Sequence, residues 1–401
     1  MSGDTFLDRS LTAAAVIVVP GIMGSELREN GKTIWGFKSL GWYFKHWQQG
    51  QFRLLQLTEQ EGAGEYGRVI APCLLSSPAF LPKFDVVNPY CNLVARLRAN
   101  AVDPAAVTTF PYDWRLPVSH NGALLARVIE SHAYNWSKHP ALKRYLAEYP
   151  GSSMKVVVVA HSMGGLVTQH ATADAHVDRI IALGTPWRGS VKTVGAMATG
   201  DLEGLPFSAA AVRDLVTSLP SMYDILPQWA CIAPRDPAKD PTPVDGAFIS
   251  SIGGDPDLWR HATADFQARA APYDTQAEIV SIAGIKQPTP ASVQTTACST
   301  GLEVTTRAFM RDGTVFARDR KGGLVTVAAT GDGTVPHFSA SLHEHAHKSV
   351  QRLQHGQLAY AAEGLAVASH FVRHSDEPRF LAAPSDLGIT VPQVAERGTP
   401  V

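Results

Sequence analysis

The stretch Val156–Gly165, VVVVAHSMGG, constrains what this chain can fold into more than any other. An unbroken apolar, β-branched run suits a strand buried on both faces. A helical pattern starts at Gly165, so the chain must turn from strand into helix around Ser162. A serine on such a turn takes a strained backbone conformation, and the residues two before and two after it must be very small, because strand and helix nearly collide. Those positions hold Ala160 and Gly164. Ala160 stands where glycine is usual and adds one methyl group. The turn lifts the Ser162 hydroxyl clear of the sheet, and the helix N-terminus beside it favours developing negative charge. A chance serine in a glycine turn would need neither the buried strand before it nor the helix after it.

The rest of the chain repeats this alternation. Strand patterns cover Ala14–Val19, Lys155–Ala160, Arg179–Leu183 and Glu278–Ile282. Helical patterns cover Asn88–Ala99, Gly122–Glu148 (as one helix or a broken pair), Gly165–Ala175 and Gly356–Phe371. Such alternation predicts a mostly parallel sheet flanked by helices, and the serine elbow on one of its strands makes an α/β-hydrolase fold with cap and lid insertions the expectation. With 45% hydrophobic and 18% charged residues, the chain can bury one large core. The expected organisation is a single domain over 1–401. Insertions fall at about 33–85, rich in aromatics and turn formers, and at about 190–275, rich in Pro, Gly and Ala. The Pro-rich Ile232–Val244 reads as a lid, and Ser375–Val401 as a loosely packed tail.

In this architecture an acid and then a histidine follow the nucleophile along the chain. Asp312 and Asp332 each begin Asp-Gly-Thr-Val. Asp312 lies in RAFMRDGTVFAR, which reads as a two-residue hairpin turn. Asp332 follows the strand-like Leu324–Ala328, in a loop ahead of a helix, where the carboxylate belongs. His355 follows the strand-like Ser349–Leu353 and precedes a helix, so it can reach back to Ser162, whereas His370 sits within a helical pattern. The cluster HEHAH (His343–His347) lacks a further ligand set and reads as a solvated segment, so no metal and no cofactor are expected. For the oxyanion, Met163 offers one amide. Gly21 and Gly24 let the loop of VVPGIMGSEL (Val18–Leu27) bend so that Ile22 or Met23 offers the other.

Five segments together resemble the lecithin:cholesterol acyltransferase and lysosomal phospholipase family of α/β-hydrolases: VVPGIMGSEL, FPYDWRLP (Phe110–Pro117), VVVVAHSMGG, IALGTPWRGS (Ile181–Ser190) and GDGTVP (Gly331–Pro336). AGIKQPTP (Ala283–Pro290) and RLQHGQL (Arg352–Leu358) add weaker matches. The resemblance implies a Ser162, Asp332 and His355 triad with oxyanion amides at Ile22 and Met163, acting on lipid esters. It departs from the family's secreted members, in which a signal peptide and a disulfide-closed loop occur.

A formal net charge of −1 provides no field for nucleic acid. Cys73, Cys91, Cys231 and Cys298 fall at scattered spacings that leave room for one or two bridges but fit reduced thiols more simply. The apolar run Ala13–Val19 is too short to span a bilayer. A cytoplasmic protein, or one peripheral to a membrane, is therefore expected. Trp35 and Trp42 belong to an aromatic stretch with interspersed cations (Ile34–Phe52), which suits either a bilayer interface or packing of a cap. Met23, Trp35, Trp42 and Trp187 are candidates for substrate binding, while Asp113 and Arg115 read as a buried pair holding a loop. The expected activity is serine acyl hydrolysis or acyl transfer on lipid esters, foremost phospholipids. A soluble carboxylesterase for small esters and a regulated cytoplasmic lipase that damages membranes are the alternatives.

Overall fold

Strands that are apolar on both faces need cover on both sides, and this chain supplies it with helices. The computed structural model describes residues 11–36, 52–75, 89–200, 208–233, 241–270, 277–298, 301–307, 316–318, 324–326, 331–341 and 347–374. Trp42, Asp312, His343, His345, the centre of the lid stretch (234–240) and the tail from Ser375 lie outside the described residues.

The central sheet contains β1 (Ala15–Val19), β2 (Val107–Thr109), β3 (Val156–His161), β4 (Arg179–Leu183), β5 (Glu278–Ile285) and β6 (His347–Gln351). Their order is β6-β5-β4-β3-β1-β2, and every neighbouring pair is parallel. Every residue of β1, β3 and β4 is buried. Alternation along the strands divides the core: Ile17, Val19, Val158 and Ala160 face one side, while Val16, Val18, Val157 and Val159 face the other. The first side packs on α2 (Val118–Lys138) and α3 (Met163–Ala171) through Leu125, Ile129, Leu166 and Val167. The second packs on α1 (Pro89–Ala99) and on the helix Ala362–Arg373 through Leu93, Leu97, Val367 and Phe371.

The chain steps from β1 to β2 on one side and then to β3 on the other, so the strand order reverses at β1. In open parallel sheets, ligands bind beyond the carboxyl ends of the strands at such a reversal. Val19 pairs with Ala160, so the loops leaving β1 and β3 emerge level with each other. Those loops carry Gly21–Met23 and Ser162.

Some elements differ from the sequence reading for local reasons. The helical pattern over Gly122–Glu148 is a broken pair that starts earlier, at Val118, and divides at His139, which is extended at φ −66, ψ 134 ahead of Pro140, because a proline disfavours helical backbone in the residue before it. Of the strand-like Leu324–Ala328, the described residues Leu324–Thr326 lie outside the central sheet. Leu324–Thr326 pairs antiparallel with Phe316–Arg318 in a separate ribbon. Asp332 is thus reached by a long excursion after β5. Gln287 N–H donates to the Gly331 carbonyl (3.1 Å) across the neck of that excursion, which returns Asp332 to the end of β5.

Leu27–Glu29, just ahead of the first insertion, pairs with Lys32–Trp35 at its start and with Val69–Ile70 inside it. Buried ion pairs tie this part to the core. Arg115 is fully buried and donates to Asp113 Oδ2 (2.7 Å) and Glu61 Oε1 (2.8 Å). Burial alone would push the Glu61 carboxyl up, but bonds from Arg68, the Thr58 amide and Arg115 outweigh it and hold the group below its ordinary range. Arg115→Met would leave the buried Asp113 carboxylate without its guanidinium partner, while Glu61 keeps Arg68. We expect a loss of about 3–5 kcal/mol in unfolding free energy, measured by urea denaturation.

Candidate active site

Ser162 sits at φ 53, ψ −128 and forms the N-cap of α3. Left-handed backbone is strained for a residue with a β-carbon and persists only where its surroundings dictate it. Here they do. Ser162 N–H donates to the Leu183 carbonyl at the end of β4 (2.8 Å), and Gly165 N–H donates to the Ser162 carbonyl (3.0 Å). A β-carbon on Gly164 would run into the Pro20 carbonyl oxygen, and one on Gly165 into the Thr185 side chain. The start of α3 therefore lies directly on the loops that leave β1 and β4.

His355 links the other two candidate residues. Its Nδ1 lies 2.7 Å from Asp332 Oδ2, and its Nε2 lies 2.8 Å from Ser162 Oγ. An ionised carboxylate can only accept, so Nδ1 carries the proton and the Nε2 lone pair faces the serine hydroxyl. Asp332 is 1% exposed, and its second oxygen accepts from the amides of Thr334 (2.9 Å) and Val335 (2.7 Å). The His355 amide in turn donates to the Asp332 carbonyl (2.9 Å). Gly184, at φ +62, leaves room for the pair: a β-carbon there would sit 3.0 Å from both Asp332 Oδ2 and His355 Nδ1.

The proposed oxyanion donors flank the serine. Gly21 approaches so closely that a β-carbon on it would lie 2.8 Å from Ser162 Cβ. Among the described residues, neither the Ile22 nor the Met163 amide meets an intramolecular acceptor. Met23 adopts φ 62, and its carbonyl accepts from Trp35 Nε1 (2.9 Å), which holds the turn after Ile22.

A cavity of about 220 Å³ opens beside Ser162 and His355. Trp114, Leu215, Leu219, Met222 and Ile225 form much of its wall, together with Met23 and Trp35 from the candidate list. Trp187 does not line it. That ring is buried and donates to Ser281 Oγ (3.1 Å), bracing the loop after β4 against β5. Trp114 was available from the PYDWR motif. The wall residues 215–225 carry no motif and are assembled by packing alone. Among the described residues no group of His, Cys, Asp or Glu could hold a metal ion, and no helix is long and apolar enough to cross a membrane.

Two further residues carry no sequence signal beyond position. His161 is buried between the reactive loops, with Nδ1 2.9 Å from Tyr90 Oη and Nε2 3.0 Å from the His355 carbonyl. Tyr90 Oη also accepts from Gly21 N–H (2.8 Å). Burial, helped by the neighbouring His355, lowers the His161 pKa to about 3. Burial also pushes the Tyr90 phenol up, so it keeps its proton.

The fold and this constellation define an α/β-hydrolase with a serine-centred site. Residues 80–238 match the lecithin:cholesterol acyltransferase family model, so the chain is similar to that family over its central part. It is 28% identical over 176 residues to the phosphatidylcholine-sterol acyltransferase of Oryctolagus cuniculus, covering 40% of this chain and 33% of that protein. It is 30% identical over 126 residues to the lysosomal phospholipase A and acyltransferase of Homo sapiens, covering 29% of this chain and 27% of that protein. The matches thus span about a third or less of these relatives' length. A chain in the solved Tle4-Tli4 complex shares the fold, with a TM-score of 0.51 and 16% identity over 90% of this chain and 98% of that one.

His161 predicts an acid-side slope in stability. An unfolded imidazole takes up a proton below about 6.5, whereas the folded one does so only near 3. Between these values the unfolded state holds the extra proton, so the contribution is complete above pH 6.5 and is lost as pH falls. In denaturation series from pH 7 to pH 4, the wild type should lose up to about 1.4 kcal/mol per pH unit more than His161→Gln.

Proposed function

We propose that this chain is a serine acyl hydrolase or acyltransferase for lipid esters, foremost phospholipids. One observation carries the reading: His355 bridges Ser162 Oγ and Asp332 at an apolar cavity. Ser162 Oγ attacks the ester carbonyl while His355 Nε2 takes its proton. Asp332 holds the imidazole tautomer and stabilises the imidazolium, and the Ile22 and Met163 amides receive the oxyanion. The imidazolium then protonates the departing alcohol, which leaves an acyl group on Ser162. Water or a second alcohol, deprotonated by His355, releases the acyl group as an acid or a new ester.

Two features support a lipid substrate. The wall is formed by Trp, Leu, Met and Ile side chains suited to an acyl chain. The two relatives carry the names phosphatidylcholine-sterol acyltransferase and lysosomal phospholipase A and acyltransferase.

Ser162→Ala should abolish release of fatty acid from phosphatidylcholine liposomes while the circular dichroism spectrum is retained. Asp332→Asn should lower kcat by about 10³–10⁴-fold, through the wrong histidine tautomer. Full activity in Ser162→Ala would overturn the mechanism. Equal rates on monomeric short esters and on lipid surfaces would shift the reading to a soluble carboxylesterase.

A further inference from the structure

Tyr90 and His161 form a single chain of hydrogen bonds between the two loops that address the substrate. The His355 carbonyl can only accept, so His161 Nε2 must carry the ring proton toward it (3.0 Å). Nδ1 is then an acceptor, and the Tyr90 hydroxyl donates to it (2.9 Å). The phenol oxygen in turn accepts from Gly21 N–H (2.8 Å). Main-chain groups fix the direction at both ends. At one end stands the residue before Ile22, and at the other the backbone of the base itself.

The chain is built for more than filling space. Tyr90 is 2% exposed and does not border the cavity, and burying a hydroxyl is unfavourable unless it is bonded. A phenylalanine would fill the same place, yet it would leave the buried Gly21 N–H without its acceptor. Gly21 also lies against Ser162, so a shift of its peptide plane moves the Ile22 amide relative to the nucleophile. His355 is held from two directions: its amide donates to Asp332 (2.9 Å) and its carbonyl accepts from His161.

We infer that Tyr90 and His161 are positioning residues that tie the Gly21–Ile22 oxyanion arm to the backbone of His355, so that amide and imidazole address one reacting carbon. This rests on the hydrolase reading above. The alignment matters in the transition state, when charge reaches the oxyanion and the proton reaches His355, and far less when an acyl chain merely occupies the cavity.

The test compares Tyr90→Phe, His161→Gln, His161→Leu and the Tyr90→Phe/His161→Gln double variant on a soluble p-nitrophenyl ester. Binding of an alkylboronic acid, which forms a tetrahedral adduct on a serine hydroxyl, and of the matching alkanol, which does not, is measured alongside. Tyr90→Phe should lower kcat and boronic-acid affinity by about ten- to hundredfold, with KM and alkanol affinity changed less than about twofold. His161→Gln keeps a donor for the His355 carbonyl and should retain more activity than His161→Leu. The double variant should be no worse than the weaker single one, because both cut the same chain. Wild-type kcat and boronic-acid affinity in Tyr90→Phe, or equal losses in alkanol binding, would overturn the positioning role while the hydrolase reading stands. A wild type that neither hydrolyses esters nor binds the boronic acid would overturn the hydrolase reading, and the positioning role with it.

Discussion

The site depends on the close contact between the start of α3 and the loop leaving β1. Val19 and Ala160 are paired across the sheet, and Gly164 lies against the Pro20 and Val19 carbonyls. With no β-carbon at Gly164, the helix dipole, the Met163 amide and the Gly21–Ile22 loop converge on one point beside Ser162. A single methyl group there would force strand and helix apart, and the strained φ of Ser162 would lose the packing that sustains it.

The acid and base reach this point by a different route. Both stand beyond the far half of the sheet, where β5 and β6 run parallel and in register. Asp332 ends a long excursion that is closed at its neck by Gln287 and Gly331, and His355 follows β6. The backbone bond from the His355 amide to the Asp332 carbonyl and the side-chain bond to Oδ2 hold the two as one unit. The polar cluster is therefore held mainly by main-chain groups, which keeps its geometry independent of the long side chains around it.

Much of this was legible from local pattern. The strand, the small residues and the helix around Ser162 announce an elbow because their steric demands fall within a few positions of one another. His355 could be placed because it follows a strand and precedes a helix. The strand pattern ahead of Asp332 is not part of the central sheet, since Leu324–Thr326 belongs to a separate ribbon; the residue is brought to its loop by the neck at Gln287. Trp187 follows a sheet strand as read, yet its ring turns to Ser281 rather than to the cavity. Loop geometry after a strand end does not fix a side chain's direction.

By itself, the sequence determined the α/β alternation, the elbow at Ser162 and which acid and histidine were available, since each is written in contacts between near neighbours in the chain. Tertiary structure decided the cavity wall, the pairing of Arg115 with Glu61, and the line from Gly21 through Tyr90 and His161 to His355. These join residues from separate elements across the sheet. Their hydrogen bonds and packing exist only once β1, β3 and the surrounding helices have stacked, and no periodicity along the chain encodes them.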